Sequence, residues 1–448
     1  MGTSSARARV VVGLDVGSTN VKVVALDVTG RAVARVRRAT PRPDDDPSID
    51  ADALLDLVEE LVLEACGQRF AVAAISAAGV GEDGVLVDPA GRALTPALAW
   101  FDPRRAGVFR ELRAELGSAG GIGVPTDPAR TLVGWSWAMR QPGAERAASW
   151  VALTDFASSR WTGTRFLSDT LAARTAAWRT TTRSWVAERV RLTLGSPHLL
   201  PEVLPTGAVV GELRSERLRD VLTPGAVVVA GGHDHPVGGW GVDRLRPGAV
   251  LDSMGTAEVV VAQSPEPALD PGERIDTAPG IRHRGTTLLR VEELARNVQW
   301  AAQDPAVSEA LQRIIAGDLQ PDDHLFSTAF TPGGPGGGAP SYAPDAPAAP
   351  ISRASAVLGA LAALGGRAIR AVAAHSPGAP VYAAGGWARS RGWVEAKRAV
   401  TGTAVETIAE PEVTAVGAAL LAASAIGWEV DPAAALAQHA SLNTASSR

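Results

Sequence analysis

A six-residue turn between two apolar runs combines groups that could hold a polyphosphate and its metal ion. The segment Asp15–Asn20 (DVGSTN) brings together a carboxylate, a glycine, two hydroxyls and several backbone N–H groups. Glycine permits close backbone approach, N–H groups and hydroxyls donate to phosphate oxygens, and a carboxylate holds Mg²⁺ or its waters. A structural hairpin of the same composition is the alternative. The turn Ser253–Thr256 (SMGT) lies about 240 residues later, and two such turns in one chain favour phosphate binding.

A third segment offers an acid for proton transfer. Gly231–Gly239 (GGHDHPVGG) follows an apolar run and contains Asp234 between His233 and His235. A carboxylate exposed in a glycine-rich turn could accept the proton of a substrate hydroxyl, whereas an aspartate that caps the next helix is the alternative. We do not expect a histidine metal site, because no third histidine or cysteine ligand lies nearby in the sequence.

The elements around these turns predict a mixed α/β fold. Residues 10–27 are typical of a strand, a tight loop and a second strand, and residues 249–261 repeat this pattern. Residues 51–66 have helical spacing of apolar side chains, while residues 70–75 and 226–230 predict strands. Helices and strands are therefore mixed along the whole chain.

The two strand-turn-strand units predict two related α/β halves. We place the boundary at the Pro247-Gly248 step, which gives an N-terminal domain over residues 8–246 and a C-terminal domain over residues 247–440. The Ala-rich segments 354–374 and 413–426 predict helices that pack closely against a sheet or another helix.

Composition excludes several classes of protein. The 448 residues carry a net charge of −5 without a basic block, so nucleic acid is not an expected partner. The single cysteine, Cys66, excludes a disulfide scaffold and a cysteine-based zinc cluster and fits a reducing compartment. The N-terminal residues lack a signal-peptide pattern, and the apolar stretch Ala415–Trp428 is shorter than the roughly 20 residues of a membrane span. We expect a cytoplasmic protein with no membrane partner.

Taken in order, these motifs resemble the FGGY family of carbohydrate kinases, which has the fold of actin, hexokinase and the Hsp70 ATPase domain. The resemblance is collinear over nearly the whole chain. The similar segments are a first phosphate motif (13–27), a sugar-side segment (75–104) that ends in W-x-D-x-R, a catalytic G-x-x-D segment (230–241), a second phosphate motif (249–261), an adenosine segment (382–393) and a closing helix (412–422).

The resemblance implies two actin-like (ribonuclease H-like) domains around a nucleotide and sugar cleft. ATP and Mg²⁺ would be the cofactors, with Asp234 as general base and Asp15 as the Mg²⁺ ligand, direct or through water. Lys22 is either a strand residue facing solvent or a phosphate contact. The remaining residues implied for ATP are those that cradle the phosphates, Gly17, Ser18, Thr19, Gly255 and Thr256, and those that admit adenine and ribose, Gly385 and Gly386.

On the sugar side, the resemblance implies four substrate-binding residues. Glu82 and Asp102 would accept hydrogen bonds from substrate hydroxyls. Trp100 is either a wall against the carbon-hydrogen faces of the substrate or a core residue. Arg104 either contacts the substrate or pairs with a carboxylate of its own domain.

Three segments depart from the family's usual patterns. Gly79–Asp83 (GVGED) replaces the Gln-Met-His of xylulose kinases and the Gln-Arg-Glu-Thr of glycerol kinases, so the substrate cannot be transferred from either subgroup. Ser168–Thr175 is only loosely similar to a D-x-x-x-A-S-x-T stretch. The Gly/Pro run at 332–340 replaces a G-E-R-x-P stretch and is either a surface loop or a loop over the active site.

The implied activity is ATP-dependent phosphorylation of a hydroxyl, a terminal primary one, on a small sugar, ketose, polyol or sugar acid. A catalytically silent nucleotide-dependent sugar sensor and an ATPase of the same fold with a non-sugar substrate are the alternatives. Asp15, Asp234 and both phosphate-type turns argue against loss of catalysis, and the W-x-D-x-R segment disfavours a non-sugar substrate. A homodimer is compatible with this class.

Overall fold

The computed structural model describes residues 7–267, 272, 274–281, 285–334 and 338–437. The end of the predicted C-terminal domain, residues 438–440, and the middle of the Gly/Pro run, residues 335–337, lie outside the described residues.

The secondary structure alternates between strands and helices throughout. The strands are β1 (Ala8–Val16), β2 (Asn20–Leu26), β3 (Ala32–Ala39), β4 (Phe70–Gly79), β5 (Gly84–Val87), β6 (Ser149–Ala152), β7 (Phe166–Ser168), β8 (Trp178–Arg179), β9 (Ser184–Trp185), β10 (Glu202–Leu204), β11 (Val209–Glu212), β12 (Leu222–His233), β13 (Val250–Met254), β14 (Ala257–Ser264), β15 (Asp276–Pro279), β16 (Thr286–Glu293), β17 (Phe330–Thr331), β18 (Ser341–Tyr342), β19 (Val381–Ala384) and β20 (Glu406–Thr407). The α-helices are α1 (Ala51–Cys66), α2 (Arg104–Leu112), α3 (Thr131–Ala138), α4 (Leu153–Thr162), α5 (Asp169–Ala172), α6 (Ala187–Leu194), α7 (Asp234–Asp243), α8 (Ala295–Ala301), α9 (Pro305–Ala316), α10 (Pro350–Ala373), α11 (Arg391–Thr401), α12 (Val413–Ala425) and α13 (Pro432–Leu436). Short 3₁₀ helices span Ala144–Arg146, Ala173–Thr175, Pro197–Leu199, Arg219–Val221, Asp323–Phe326 and Trp387–Arg389.

Two six-stranded sheets share an arrangement of five strands, and the sixth strand lies at a different edge in each: β11 beside β12 in the first and β15 beside β16 in the second. The N-terminal sheet has the order β11-β12-β4-β1-β2-β3, and the C-terminal sheet has the order β15-β16-β14-β13-β19-β20. In the first sheet β1, β2 and β3 form an antiparallel meander, and β4 and β12 continue parallel to β1. In the second, β13, β14 and β16 form the meander, and β19 and β20 run parallel to β13. The two predicted strand-turn-strand units therefore begin two equivalent halves. The predicted domain boundary falls between α7 and β13.

The central strand β1 is buried on both faces. Val10, Val12 and Leu14 pack in the same cluster as α1, while Val11 packs on the opposite face with residues of α12. Side chains alternate between the two faces of a strand, which explains why a strand covered on both faces is a continuous apolar run. A Cβ on Gly13 would lie 1.9 Å from the carbonyl oxygen of Ala415, so α12 approaches β1 at backbone distance.

Helices α7 and α12 cross between the two sheets. Helix α7 follows β12 and packs on β14, whereas α12 lies near the end of the chain and packs on β1 and β4. A Cβ on Gly417 would lie 2.5 Å from the carbonyl oxygen of Val237, and one on Gly241 would lie 3.1 Å from the Cα atom of Gly417. This confirms the predicted close packing of the Ala-rich helix and identifies its partners.

The longest helix, α10, is a core helix. Its 24 residues have the length and apolar composition of a membrane span. It nevertheless packs against α9, α11, β14 and β16. The larger part of its most apolar 18-residue stretch is buried inside the protein. This burial is typical of the core helix of a folded domain.

Candidate active site

Three adjacent parallel strands bring the predicted N-terminal site residues to one edge of the sheet. Val16 at the end of β1 lies opposite Gly79 at the end of β4, and Gly79 lies opposite His233 at the end of β12. The residues that follow these strands therefore emerge side by side. Ligands of open α/β sheets bind outside the carboxyl ends of the strands. The first phosphate turn, the Glu82 segment and Asp234 share this edge.

The first phosphate turn is held by residues just beyond β3. The N–H of Gly17 donates to the carbonyl of Asn20 (3.1 Å). The Thr40 hydroxyl donates to the Gly17 carbonyl (2.7 Å), and the Arg42 guanidinium donates to the Ser18 carbonyl (2.7 Å). Thr40 and Arg42 belong to no motif, so their role at this turn could not be predicted from the sequence.

Lys22 lies between two carboxylates. Its Nζ is 3.0 Å from Oδ2 of Asp15 and 3.0 Å from Oε2 of Glu412, and its side chain is 29% exposed. Asp15 and Lys22 are direct partners in the antiparallel β1–β2 ladder, which explains the first contact. Lys22 is thus a partly exposed residue paired with two acids, and its contact with phosphate stays a prediction. Glu412 was known from sequence only as part of the closing helix motif.

The charges around Asp15 suit a cation. Burial raises the pKa of the Asp15 carboxyl; Lys22 opposes this, while Asp234 and Glu412 raise the pKa further. Lys22 contacts Oδ2, which leaves Oδ1 as a hard oxygen donor. Among the described residues no group of three or more His, Cys, Asp or Glu side chains is arranged for a metal ion. The donor set fits Mg²⁺, which is typically held by one or two carboxylates together with substrate phosphates and water.

Asp234 is the first residue of α7 and remains partly accessible. Its Oδ1 accepts a hydrogen bond from the His235 N–H (2.7 Å), yet its side chain is 25% exposed. His233 Nε2 lies 3.1 Å from the same oxygen. Burial lowers the pKa of His233 well below its ordinary value, and the nearby Arg174 and Arg130 guanidiniums lower it further. A neutral imidazole therefore flanks the carboxylate, and the helix-start position leaves Asp234 accessible to a substrate.

Glu82 does not present a free carboxylate. Its Oε1 accepts from the Nε of Arg174 (2.8 Å), and Nη1 of Arg130 lies 3.7 Å away. Burial alone would raise the pKa of Glu82, but the arginines outweigh it and hold the pKa below its ordinary value. Nη1 of Arg174 also donates to Oδ2 of Asp276 on β15 (2.8 Å). The loose match at 168–175 was the sequence signal nearest to Arg174, and nothing in the sequence indicated Arg130 or Asp276.

Trp100 lies at the first phosphate turn. Its side chain is 40% exposed, and its Nε1–H donates to the Ser18 hydroxyl (3.4 Å). Trp100 is therefore not a core residue, and it links the sugar-side segment to the phosphate turn.

Asp102 and Arg104 bind each other. Nε and Nη2 of Arg104 donate to the Asp102 carboxylate (3.0 and 2.6 Å), and Nη2 also donates to Asp46 (2.6 Å). The structure therefore has Arg104 paired within its own domain. The buried Asp102 carboxylate is already occupied, so its contact with substrate stays a prediction.

The second phosphate turn and the adenosine segment lie side by side at the C-terminal sheet. Strands β13 and β19 are parallel neighbours, with Ser253 opposite Ala384. Gly385 has a φ of +93°, and a Cβ there would lie 2.3 Å from the Met254 carbonyl oxygen. A Cβ on Gly386 would meet no atom within 4 Å, so this position faces open space. A side chain at the first glycine would displace the second turn, whereas the second glycine leaves room for a ligand.

A buried ion cluster lies next to the second phosphate turn. Lys397 Nζ lies 2.5 Å from Asp252 Oδ2 and 2.6 Å from Glu258 Oε1. Burial and the nearby Asp252 raise the pKa of Glu258 to about 8. Nζ also lies 3.4 Å from the sulfur of Met254, the residue before Gly255. The cluster thus fixes the strand pair that carries the turn.

The described part of the Gly/Pro run is anchored beside this turn. The Asn297 side chain donates to the Gly333 carbonyl (3.1 Å) and accepts from the Gly333 N–H (2.7 Å). Asn297 lies on α8, whose first residue, Ala295, donates its N–H to the Thr256 carbonyl (2.9 Å). The run therefore begins near the second phosphate turn.

Comparison with solved structures supports the architecture. The chain superposes on the xylulose kinase of Rhodospirillum rubrum with a TM-score of 0.82 and 22% identity, over 96% of this chain and 92% of that one. The gluconate kinase of Lactobacillus acidophilus superposes with a TM-score of 0.80 and 18% identity, over 95% and 91%. The two α/β halves are thus two actin-like domains, which confirms the predicted fold class.

Sequence comparison identifies the family. A model of the FGGY family of carbohydrate kinases, N-terminal domain, matches residues 10–241, just over half of the chain. The chain is 29% identical to the xylulose kinase of Streptomyces rubiginosus, over 96% of this chain and 91% of that enzyme. It is 31% identical to the xylulose kinase of Streptomyces coelicolor over 60% and 57%, and 26% identical to the L-fuculokinase of Salmonella typhi over 66% and 67%. The chain belongs to the FGGY family of carbohydrate kinases.

Proposed function

We propose that this kinase transfers the γ-phosphoryl group of ATP to a primary hydroxyl of a small neutral sugar, ketose or polyol, with Asp234 as the general base. The observation that carries the proposal is the convergence of the Asp15 turn, the Glu82 segment and Asp234 at the ends of three adjacent parallel strands. This edge offers a phosphate turn, a polar sugar-side cluster and an accessible carboxylate together.

The partly exposed Asp234 carboxylate would accept the proton of the attacking hydroxyl. Its position at the start of α7, fixed by the His235 N–H, would aim it at the substrate. Gly17, Gly255 and their neighbouring hydroxyls would donate to phosphate oxygens, so that catalysis rests on positioning and charge neutralisation.

Asp15 would hold Mg²⁺ through Oδ1, directly or through water, while Lys22 fixes Oδ2. The ion would neutralise negative charge on the phosphates. Gly385 and Gly386 would line the adenosine site, since the second of them faces open space. Because ATP is the phosphoryl donor and the one cysteine fits a reducing compartment, we place this reaction in the cytoplasm.

The preference for a neutral substrate rests on charge. Near Glu82, Arg174 pairs with Glu82 and Asp276, and Arg130 pairs with Asp127. Arg105, which also acts on Glu82, lies 3.4 Å from Asp83. Each of the three guanidiniums thus has a carboxylate of the protein beside it, which disfavours a substrate carboxylate at this position. Nη1 of Arg130 is buried without a hydrogen-bond partner, so it would be free to donate to a substrate hydroxyl that reaches it.

The test is ADP release from Mg²⁺-ATP with pentuloses, hexuloses, polyols, glycerol and aldonic acids. We expect one neutral compound to stimulate the wild type, and Asp234→Asn to lower that turnover by about 10² or more with ATP binding retained. Asp220→Asn, a change at an exposed site, is the matched control. A sensor would bind ATP, but none of these compounds would stimulate ADP release. Stimulation by an aldonic acid alone would contradict the neutral-substrate proposal.

A further inference from the structure

An ion cluster joins the two domains beside the catalytic base. The cross-domain cluster consists of Glu82, Arg130 and Arg174 of the N-terminal half and Asp276 of the C-terminal half. Arg174 is its centre, because Nη2 lies 2.7 Å from Oε1 of Glu82 and Nη1 lies 2.8 Å from Oδ2 of Asp276. One guanidinium thus connects a sugar-side carboxylate with a carboxylate of the opposite sheet.

A second contact holds the same strand across the cleft. The N–H of Thr277, next to Asp276 on β15, donates to the Gly123 carbonyl (2.6 Å). A Cβ on Gly123 would lie 2.1 Å from the Thr277 carbonyl oxygen, so the two backbones touch only because this residue is glycine. Strand β15 therefore contacts the N-terminal half next to the cross-domain cluster.

The cluster is shielded from water. The side chains of Glu82 and Arg130 are each 8% exposed, and that of Arg174 is 11% exposed. Nη1 of Arg130 has no hydrogen-bond partner and points between the two carboxylates, 3.7 Å from Glu82 and 3.9 Å from Asp276. Losing one partner of an ion pair in such surroundings is costly, because it leaves a buried charge uncompensated.

The cluster also lies close to the residue that flanks the base. Gly81 separates Arg174 from His233, since a Cβ on Gly81 would lie 2.6 Å from Cγ of Arg174 and 2.9 Å from Cδ2 of His233. His233 Nε2 is in turn 3.1 Å from the Asp234 carboxylate. Displacement of Arg174 would therefore be transmitted through one packed imidazole to the base.

We propose that Arg174 is a positioning residue that couples closure of the two domains to the alignment of Asp234. Its bond to Asp276 forms only when β15 lies against the N-terminal half, and its contact through Gly81 then fixes His233 beside the base. A sugar hydroxyl that accepts from Nη1 of Arg130 completes the cluster and favours the closed form. This inference rests on the proposed function for its link to sugar.

The first test is a double-mutant cycle between Arg174→Met and Asp276→Asn. Each change should lower the ratio of sugar-stimulated to basal ADP release about tenfold with little change in the KM for ATP, and the double variant should lose no more than either single one. Arg174→Lys should lower the ratio of sugar-stimulated to basal ADP release less than Arg174→Met does, because a lysine still reaches one carboxylate at a time. Arg140→Met, which removes an exposed ion pair within one domain, is the matched control.

The second test needs no sugar. Small-angle scattering of the ligand-free protein should give a larger radius of gyration for Asp276→Asn than for the wild type and Arg140→Met. The three proteins should have equal thermal stability, so that the larger radius reports domain opening and not unfolding. Additive losses in the cycle, or an unchanged radius of gyration, would overturn the coupling role. A wild type that no sugar stimulates would instead contradict the proposed function, and the scattering result would still decide whether the bridge holds the domains together.

Discussion

At the scale of residues, the active-site acids depend on partners far away in the sequence. Asp15 is recognisable from its turn, but its charge state is set by Lys22, Glu412 and Asp234. Glu412 comes from the opposite end of the chain and reaches Lys22 because α12 packs on the N-terminal sheet. Lys22 therefore opposes the protonation of Asp15 that burial and the two further carboxylates favour.

Replacement of Lys22 by methionine should raise the pKa of Asp15 and so favour its protonated form. The pKa of Asp15 is already raised by burial, and loss of Lys22 removes the cation that lowers it. We expect at least about tenfold lower turnover at pH 7 and an acid limb of the pH–rate profile displaced to higher pH. Lys22→Arg keeps the charge and should retain most activity. An unchanged acid limb in Lys22→Met would contradict this role.

At the scale of elements, strand ends and helix crossings place the site. The turns after β1 and β13 could be predicted because glycine, hydroxyl and β-branched residues mark them locally. The contacts of Arg174 with Glu82 and Asp276 could not, because they join segments about 100 residues apart and carry no short-range pattern. The α7–α12 crossing was predictable only as close packing, without its partners.

The helix crossing should be sensitive to a single methyl group. Gly417→Ala adds a Cβ 2.5 Å from the Val237 carbonyl oxygen, so we expect a loss of about 1–3 kcal/mol in unfolding free energy despite the better helix propensity. Gly107→Ala, in α2 with no atom within 4 Å, should gain roughly 0.5–1 kcal/mol. Denaturant unfolding of both variants measures the difference. Equal unfolding free energies for the two variants would contradict this, because they would show that the α7–α12 crossing can accommodate the added methyl group.

At the scale of the whole molecule, buried acids make folding stability depend on pH. Burial raises the pKa of Asp155 to about 7, although the Ser168 N–H donates to its Oδ2 (3.0 Å). The native state therefore holds a proton that the unfolded state has already released above about pH 4. The stabilisation is complete below that pH and is lost as the pH rises through 7. Asp83, also with a pKa of about 7, acts in the same direction.

Asp155→Asn should flatten this dependence. Wild-type unfolding free energy should fall as the pH rises from 5 to 7, with Asp155 contributing up to about 1.4 kcal/mol per pH unit. The amide keeps an acceptor for Ser168 but has no proton to lose, so its variant should show a smaller slope. Urea unfolding at several pH values measures both slopes. Identical slopes would mean that Asp155 is ionised in the folded protein throughout this range.

The central claim is that Asp234 takes the proton of a sugar hydroxyl as it attacks ATP, and its most direct measurement is detection of the product. ³¹P NMR of wild type and Asp234→Asn, each with Mg²⁺-ATP and the stimulating compound, follows the phosphoryl group itself. We predict a sugar phosphate monoester with wild type, and about 10²-fold slower formation with the variant at unchanged ATP affinity. Inorganic phosphate in place of the ester, or equal rates from both proteins, would contradict it.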